Sequence, residues 1–203
     1  MVPIQYIISA ESSKSAISHA KVALKAGCKW IQLQVDDLQN SKAEKTAKEI
    51  KKLCRENDAA FLIENNIDLV KSIDADGVHL TNGMTTAEAR HILGEGFLIG
   101  TNAITAEEVI LNKKQSADYI CCGPFNHSTA NEDETLSLNK YAEIVEEVSN
   151  KGITLPLSAF GKILPEDVDA ILKTGIRGIM IQISEEKISE DLIRTTLERY
   201  LNA

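Results

Sequence analysis

The sequence predicts one α/β domain, a (β/α)8 TIM barrel spanning residues 1–203. Three observations predict it. Short apolar runs alternate with amphipathic stretches along the whole chain. The approach to every even-numbered run repeats one local pattern. The first run lacks the glycine-rich turn that an open, doubly wound nucleotide-binding sheet carries there; that turn reads Ser9-Ala10-Glu11-Ser12-Ser13.

The expected strands are Ile4–Ile8, Trp30–Val35, Ala60–Ile63, Gly77–Leu80, Phe97–Gly100, Tyr119–Cys122, Leu155–Ala159 and Gly178–Ile181. Each is rich in Ile, Leu, Val or aromatic residues, and Gly, Asn or Asp residues bound them. The first helix is expected over Ser13–Ala26, where Ala16, Ile17, Ala20, Ala23 and Leu24 fall on one face. The second is expected over Ser41–Asn57, with Ser41 as N-cap and Glu44 completing a capping box. Thr85–Leu93, Thr105–Lys114, Asn139–Ser149, Pro165–Lys173 and Ser189–Leu201 follow. The repeat reads Gly27-Cys28-Lys29-Trp30, Ala75-Asp76-Gly77, Ala117-Asp118-Tyr119 and Gly175-Ile176-Arg177-Gly178. A small residue ends a helix and a polar residue leads into a buried strand. Four such units give eight parallel strands with helical crossovers. At 203 residues the chain is shorter than the usual barrel of about 250, so its loops must be tight. The longest, Gly123–Leu138, is polar and is expected to act as a lid, the alternative being a disordered surface insertion.

Composition narrows the function. The net charge is −8, which disfavours nucleic acid and anionic membrane as partners. A small phosphorylated metabolite needs only a local cluster of donors. The N-terminal stretch has neither a basic leader nor a long apolar run, and no stretch is long enough to span a membrane. Cys28, Cys54, Cys121 and Cys122 show no metal-ligand spacing, which suits buried thiols in a reducing cytoplasmic setting. No metal site is read from the sequence.

In a barrel, the chemistry sits where the strands end. The residues there are Asp36 and Asp37, Glu64, Asn65 and Asn66, Thr81 to Gly83, Thr101 and Asn102, Gly123 to Ser128, Phe160 to Lys162, and Gln182 to Ser184. Gly161 and Lys162, with the helix beginning near Pro165 and with Ser184, form the expected phosphate corner. The alternative is a plain tight turn with a solvated lysine. His79 alternates with Val78 and Leu80, so its side chain points into the barrel, as a structural or a catalytic histidine. His127 lies in the long loop, placed for proton transfer, the alternative being an inert surface histidine. Asp36 and Glu64 end neighbouring strands; a close pair would drive one pKa up and make an acid/base candidate, whereas a separated pair would be two solvated carboxylates.

These residues resemble the thiamine phosphate synthase and thiazole tautomerase family over nearly the whole chain. The resemblance rests on Ala75-Asp76-Gly77-Val78-His79-Leu80, Leu98-Ile99-Gly100, Ala117-Asp118-Tyr119 through Gly123-Pro124, Pro156-Leu157-Ser158-Ala159-Phe160-Gly161, and Gly175-Ile176-Arg177-Gly178. It implies a barrel that joins a pyrimidine methyl diphosphate to a thiazole phosphate, with magnesium and cationic side chains on the leaving diphosphate. Gln32, Asn65, Asn102, Ser128, Gly161, Lys162 and Ser184 then become substrate- and phosphate-binding candidates. A homo-oligomer is compatible with it. The charged positions depart from the family pattern. Gln34 and Asp36 stand where the resemblance implies Arg and Lys. Asn65 and Met84 stand at the two metal-ligand aspartates, and Asn131 at the loop lysine. Pro124 occupies the position of the tautomerase histidine, with His127 out of register. Three outcomes stay open: a slow synthase, a non-catalytic binder of a phosphorylated metabolite, and a different activity using Asp36 and Glu64.

Overall fold

The computed structural model describes residues 4–9, 12–35, 40–125, 135–182 and 189–203. Eight parallel strands close on themselves: β1 (Ile4–Ile8), β2 (Trp30–Leu33), β3 (Ala60–Glu64), β4 (Gly77–Leu80), β5 (Leu98–Ala103), β6 (Tyr119–Phe125), β7 (Leu157–Gly161) and β8 (Gly178–Gln182). β8 returns to β1 through pairs such as Gln5 with Met180. The helices are α1 (Ser13–Ala26), α2 (Asn40–Glu56), α3 (Ile67–Ile73), α4 (Thr86–Leu93), α5 (Ala106–Lys114), α6 (Leu138–Asn150), α7 (Val168–Lys173) and α8 (Glu190–Asn202).

Strand alternation splits the core into two layers. Residues such as Tyr6, Ile31, Val78, Ile99 and Ile179 face outward and join the helices in one large apolar cluster. Ile7, Leu62, Tyr119, Cys121 and Met180 face inward and fill the barrel, with Trp30 and Phe160 packed beside them. The inward layer is tight between β4, β5 and β6. A Cβ on Gly77 would meet the Leu98 carbonyl oxygen at 2.1 Å, and one on Gly100 would meet the Tyr119 ring at 2.0 Å.

The repeated approach to the even strands has a physical basis at two of its four positions. Asp76, just before β4, accepts the Phe61 N–H at the start of β3 (2.7 Å). Asp118, just before β6, accepts the Ile99 N–H of β5 (2.7 Å) and the Arg90 guanidinium (2.6 Å). The carboxylate at the base of one strand thus ties down a backbone donor of its neighbour.

Three expectations are corrected. α3 was not foreseen; Asn66 caps it by accepting the Leu69 N–H, and it has only seven residues. α2 begins at Asn40, so Ser41 lies inside the helix rather than capping it, and Glu44 pairs with Lys48 at 2.7 Å. The loop after Cys122 is shorter than expected, because β6 continues to Phe125 and Leu136 bridges back to it. Residues 126–134, where the lid was expected, lie outside the described residues.

All four cysteines are buried and unpaired. Burial pushes the thiols of Cys28, Cys54 and Cys122 up to about 12, so they remain protonated and act as small apolar side chains. Among the described residues no helix is long and apolar enough to cross a membrane.

Candidate functional site

The inward-facing side chains become polar toward the strand ends, and they connect. Glu64, the last residue of β3, is 6% exposed. Its Oε2 accepts from the Gln32 amide at 2.6 Å, and the Gln34 amide donates at 3.1 and 3.0 Å to Oε1 and Oε2. The Thr81 hydroxyl stands 3.4 Å from Oε1. The strand register explains the meeting. Gln32 pairs with Leu62 across β2 and β3, so two residues further on Gln34 reaches the level of Glu64.

The chain of contacts runs on in both directions. The Gln182 amide donates to Gln34 Oε1 at 3.3 Å. The Gln5 amide donates to Gln32 Oε1 and stands 3.3 Å from the Tyr119 hydroxyl. Tyr119 meets His79 Nδ1 at 2.9 Å, and His79 Nε2 meets Asn102 Oδ1 at 3.0 Å. With a carboxamide oxygen on the Nε2 side, the pattern assigns the ring proton to Nε2 and makes Nδ1 the acceptor of the Tyr119 hydroxyl. Burial lowers the His79 pKa to about 4, against a smaller opposing effect of the Asn102 hydrogen bond. The imidazole is therefore neutral at pH 7. Burial likewise raises the Tyr119 phenol, aided by the neighbouring Cys121. Two buried acceptors in this interior, Gln5 Oε1 and Ser158 Oγ, have no partner among the described residues.

Asn65 follows Glu64 in the left-handed region, at φ 55°. There its amide bridges to Thr81, donating to Oγ1 and accepting from the backbone N–H, each at 2.8 Å. That bridge joins the ends of β3 and β4.

The expected residues therefore divide. Gln32, Glu64, His79 and Asn102 share one network, and His79 faces inward as strand alternation predicts. Asn65 sits at its rim. Asp36, His127, Ser128 and Ser184 lie outside the described residues, so the Asp36–Glu64 pair is not described. Glu64 itself is not a solvated carboxylate; two amides and burial hold it. Gln5, Gln34 and Tyr119 belong to the network although sequence reasoning gave none of them a site role. A glutamine in the inward register of an otherwise apolar strand, as Gln5 is, was the available signal.

The phosphate corner looks different from its expectation. Gly161 has φ 133°, and a Cβ there would meet the Phe125 amide nitrogen at 2.5 Å, so β6 packing already requires the glycine. Lys162 is exposed. Pro165–Asp167 forms a 3-10 turn that leads directly into α7, and Asp167 accepts the Leu164 N–H at 3.0 Å. One of the donors offered to a ligand is thus used internally, next to a carboxylate.

A closed parallel barrel with a buried, largely amide-lined polar cluster at its strand ends defines a small-molecule protein of the (β/α)8 class. The family profile for thiamine monophosphate synthase matches residues 5–183, and the chain belongs to that family. It is 40% identical over 183 residues to the thiamine-phosphate synthase of Phocaeicola vulgatus, covering 89% of this chain and 88% of that protein. To the thiamine-phosphate synthase of a Bacteroides fragilis strain it is 37% identical over 184 residues, covering 89% and 90%. Among solved structures, the thiamine phosphate pyrophosphorylase from Pyrococcus furiosus superposes with a TM-score of 0.85 at 24% identity, covering 99% of this chain and 96% of that one. That superposition supports the barrel.

Magnesium, which the family resemblance implies, needs a set of hard oxygen ligands. Among the described residues no three His, Cys, Asp or Glu side chains come together to hold an ion, and the Glu64 oxygens already accept from amides. The described residues alone do not supply a magnesium site.

Proposed function

We propose that the barrel mouth binds a phosphorylated heteroaromatic metabolite of the thiazole or pyrimidine type, and that diphosphate displacement there is slow or absent. The observation that carries this reading is the Gln32–Gln34–Glu64 cluster. It offers both donors and acceptors, which suits a neutral ring bearing nitrogen and amino groups. Ser128, Gly161, Lys162 and Ser184 remain the candidates for the phosphate. On the family pattern, Gln34, Asp36 and Asn131 replace cations that would neutralise a leaving diphosphate, and Asn65 and Met84 replace the two aspartates that would hold its magnesium. Each lost charge-assisted contact costs roughly 1.5–3 kcal/mol. Two of them acting in the transition state slow the reaction by about two orders of magnitude or more. Buried thiols fit work in a reducing cytoplasm.

The test combines binding and turnover. A thiazole phosphate or a pyrimidine phosphate is expected to raise the melting temperature without magnesium. With magnesium and both substrates, thiamine phosphate is expected to form at least a hundredfold more slowly than with an active synthase assayed alongside. No melting shift with either ligand would refute the binding reading. Turnover at the synthase's own rate would refute the loss of chemistry. It would establish the second reading, an ordinary synthase, which the identity to proteins named thiamine-phosphate synthase favours.

A further inference from the structure

The outer wall of the barrel carries a second concave feature, between α1 and α2. It is a groove of about 630 Å3, within the ~300–1,000 Å3 range of small-molecule sites. Lys14 and Lys21 line it from α1, and Lys42 and Lys45 from α2. Ile17 supplies an apolar surface, and Glu49 is the one carboxylate of the lining among the described residues. Four lysines and one glutamate among the described residues thus line the groove, in a chain whose net charge is −8.

Charge pairing on the two helices separates these lysines from the others. Outside the groove, Lys25 pairs with Glu190 (2.9 Å), Lys48 with Glu44 (2.7 Å), Lys51 with Asp74 (3.2 Å) and Lys52 with Glu56 (3.8 Å). Every lysine of α1 and α2 that lies away from the groove has a carboxylate partner. None of the four in the groove forms an ion pair with a described residue. The floor is preformed. The buried Thr46 hydroxyl donates to the Lys42 carbonyl at 2.7 Å and stands 2.7 Å from Ser13 Oγ, which stitches the helices together.

Like charges gathered in a concavity repel one another and attract a compact polyanion. Lysine ammonium groups are point-charge donors for phosphate oxygens. An apolar face at Ile17 asks for more than an inorganic ion. We propose that the α1–α2 groove is a second ligand site, which takes a small polyphosphorylated metabolite with an apolar or aromatic body, of the nucleoside di- and triphosphate class. The site lies on the helical exterior, apart from the interior network of Glu64 and His79, and its existence does not depend on what the barrel mouth binds.

The experiment is equilibrium binding to the full chain at low salt, with ATP, ADP and inorganic tripolyphosphate as probes. ATP is expected to bind and to raise the melting temperature, and ADP to bind more weakly. Tripolyphosphate is expected to bind at least severalfold more weakly than ATP, because it leaves Ile17 uncovered. The double variant Lys21→Ala/Lys45→Ala is expected to lose about tenfold or more in ATP affinity, roughly 1.4 kcal/mol. Without ligand it should melt at or above the parent temperature, since repulsion is relieved. Bound ATP should protect Lys21 and Lys45 from acetylation and leave Lys48 and Lys52 reactive. Undiminished ATP affinity in the double variant would overturn the proposal, as would no binding of any probe at millimolar concentration. Tripolyphosphate binding as tightly as ATP would overturn the apolar-body part.

Discussion

Acid should unfold this barrel partly through His79, and the effect can be isolated. The ring is 1% exposed, and burial lowers its pKa from 6.5 to about 4. Above pH 6.5 the imidazole is neutral in both folded and unfolded chains, and it adds no pH dependence. Below pH 6.5 the unfolded chain binds a proton that the folded barrel refuses until about pH 4. Stability therefore falls as the pH drops through that window and levels off beneath it. A window of about 2.5 in pH, at roughly 1.4 kcal/mol for each unit, gives a loss of about 3 kcal/mol. For a domain of this size that is about 6–12 °C in melting temperature. The perturbation is His79→Gln, which keeps a side chain able to donate and accept but removes the titration. Denaturant unfolding of both proteins at pH 7 and pH 4.5 gives a double difference. Buried His19, whose pKa burial also lowers, contributes equally to both proteins and cancels. The variant is expected to be less stable than the parent at pH 7 yet to lose about 2–3 kcal/mol less on acidification. Equal losses in the two proteins would refute the reasoning.

Two further substitutions test the scaffold. Asp118→Ala leaves the Ile99 N–H without its acceptor and takes the carboxylate from Arg90, whose guanidinium keeps the Gly94, Phe97 and Ser116 carbonyls, and it should cost about 1–3 kcal/mol, read from denaturant midpoints; a change under about 0.5 kcal/mol would contradict the assigned tie. Gly77→Ala puts a methyl group against the Leu98 carbonyl, where no flexible side chain can yield. The expected result is insoluble protein or a loss above about 3 kcal/mol, and a variant melting with the parent would show that β4 and β5 are not so closely packed.

The apolar runs were enough to place all eight strands, because the outward halves of the strands pack on helices and must be apolar whatever the barrel binds. The strand ends were less readable. β5 was expected to stop at Gly100 and β6 at Cys122, but pairing continues through Thr101–Ala103 and Gly123–Phe125. Residues that point into a mouth are polar by function, and polarity reads as loop. α3 was missed because seven residues hold barely two turns, too few for a helical period to show. The polar cluster was legible in part. Glu64 and Gln32 could be named from their positions, whereas the Gln34–Glu64 contact depends on the β2–β3 register, which no single strand discloses. Sequence reasoning had set Asp36 opposite Glu64 because a carboxylate pair is a familiar chemical device, while an amide cradle has no sequence signature.

The Glu64 cradle has a consequence for direction. An amide can be turned end for end with little change in shape, exchanging its donor and its acceptor, so a row of glutamines has no inherent polarity. Here both carboxylate oxygens of Glu64 accept, which forces the Gln32 and Gln34 nitrogens toward them. The Gln32 oxygen must then face Gln5, and the Gln34 oxygen must face Gln182. One side chain at the end of β3 therefore acts as a compass needle for four amides, three on β1, β2 and β8 and one just past the end of β2. Glu64→Gln keeps every atom position available and removes the compulsion, leaving the lining free to present either face to whatever enters.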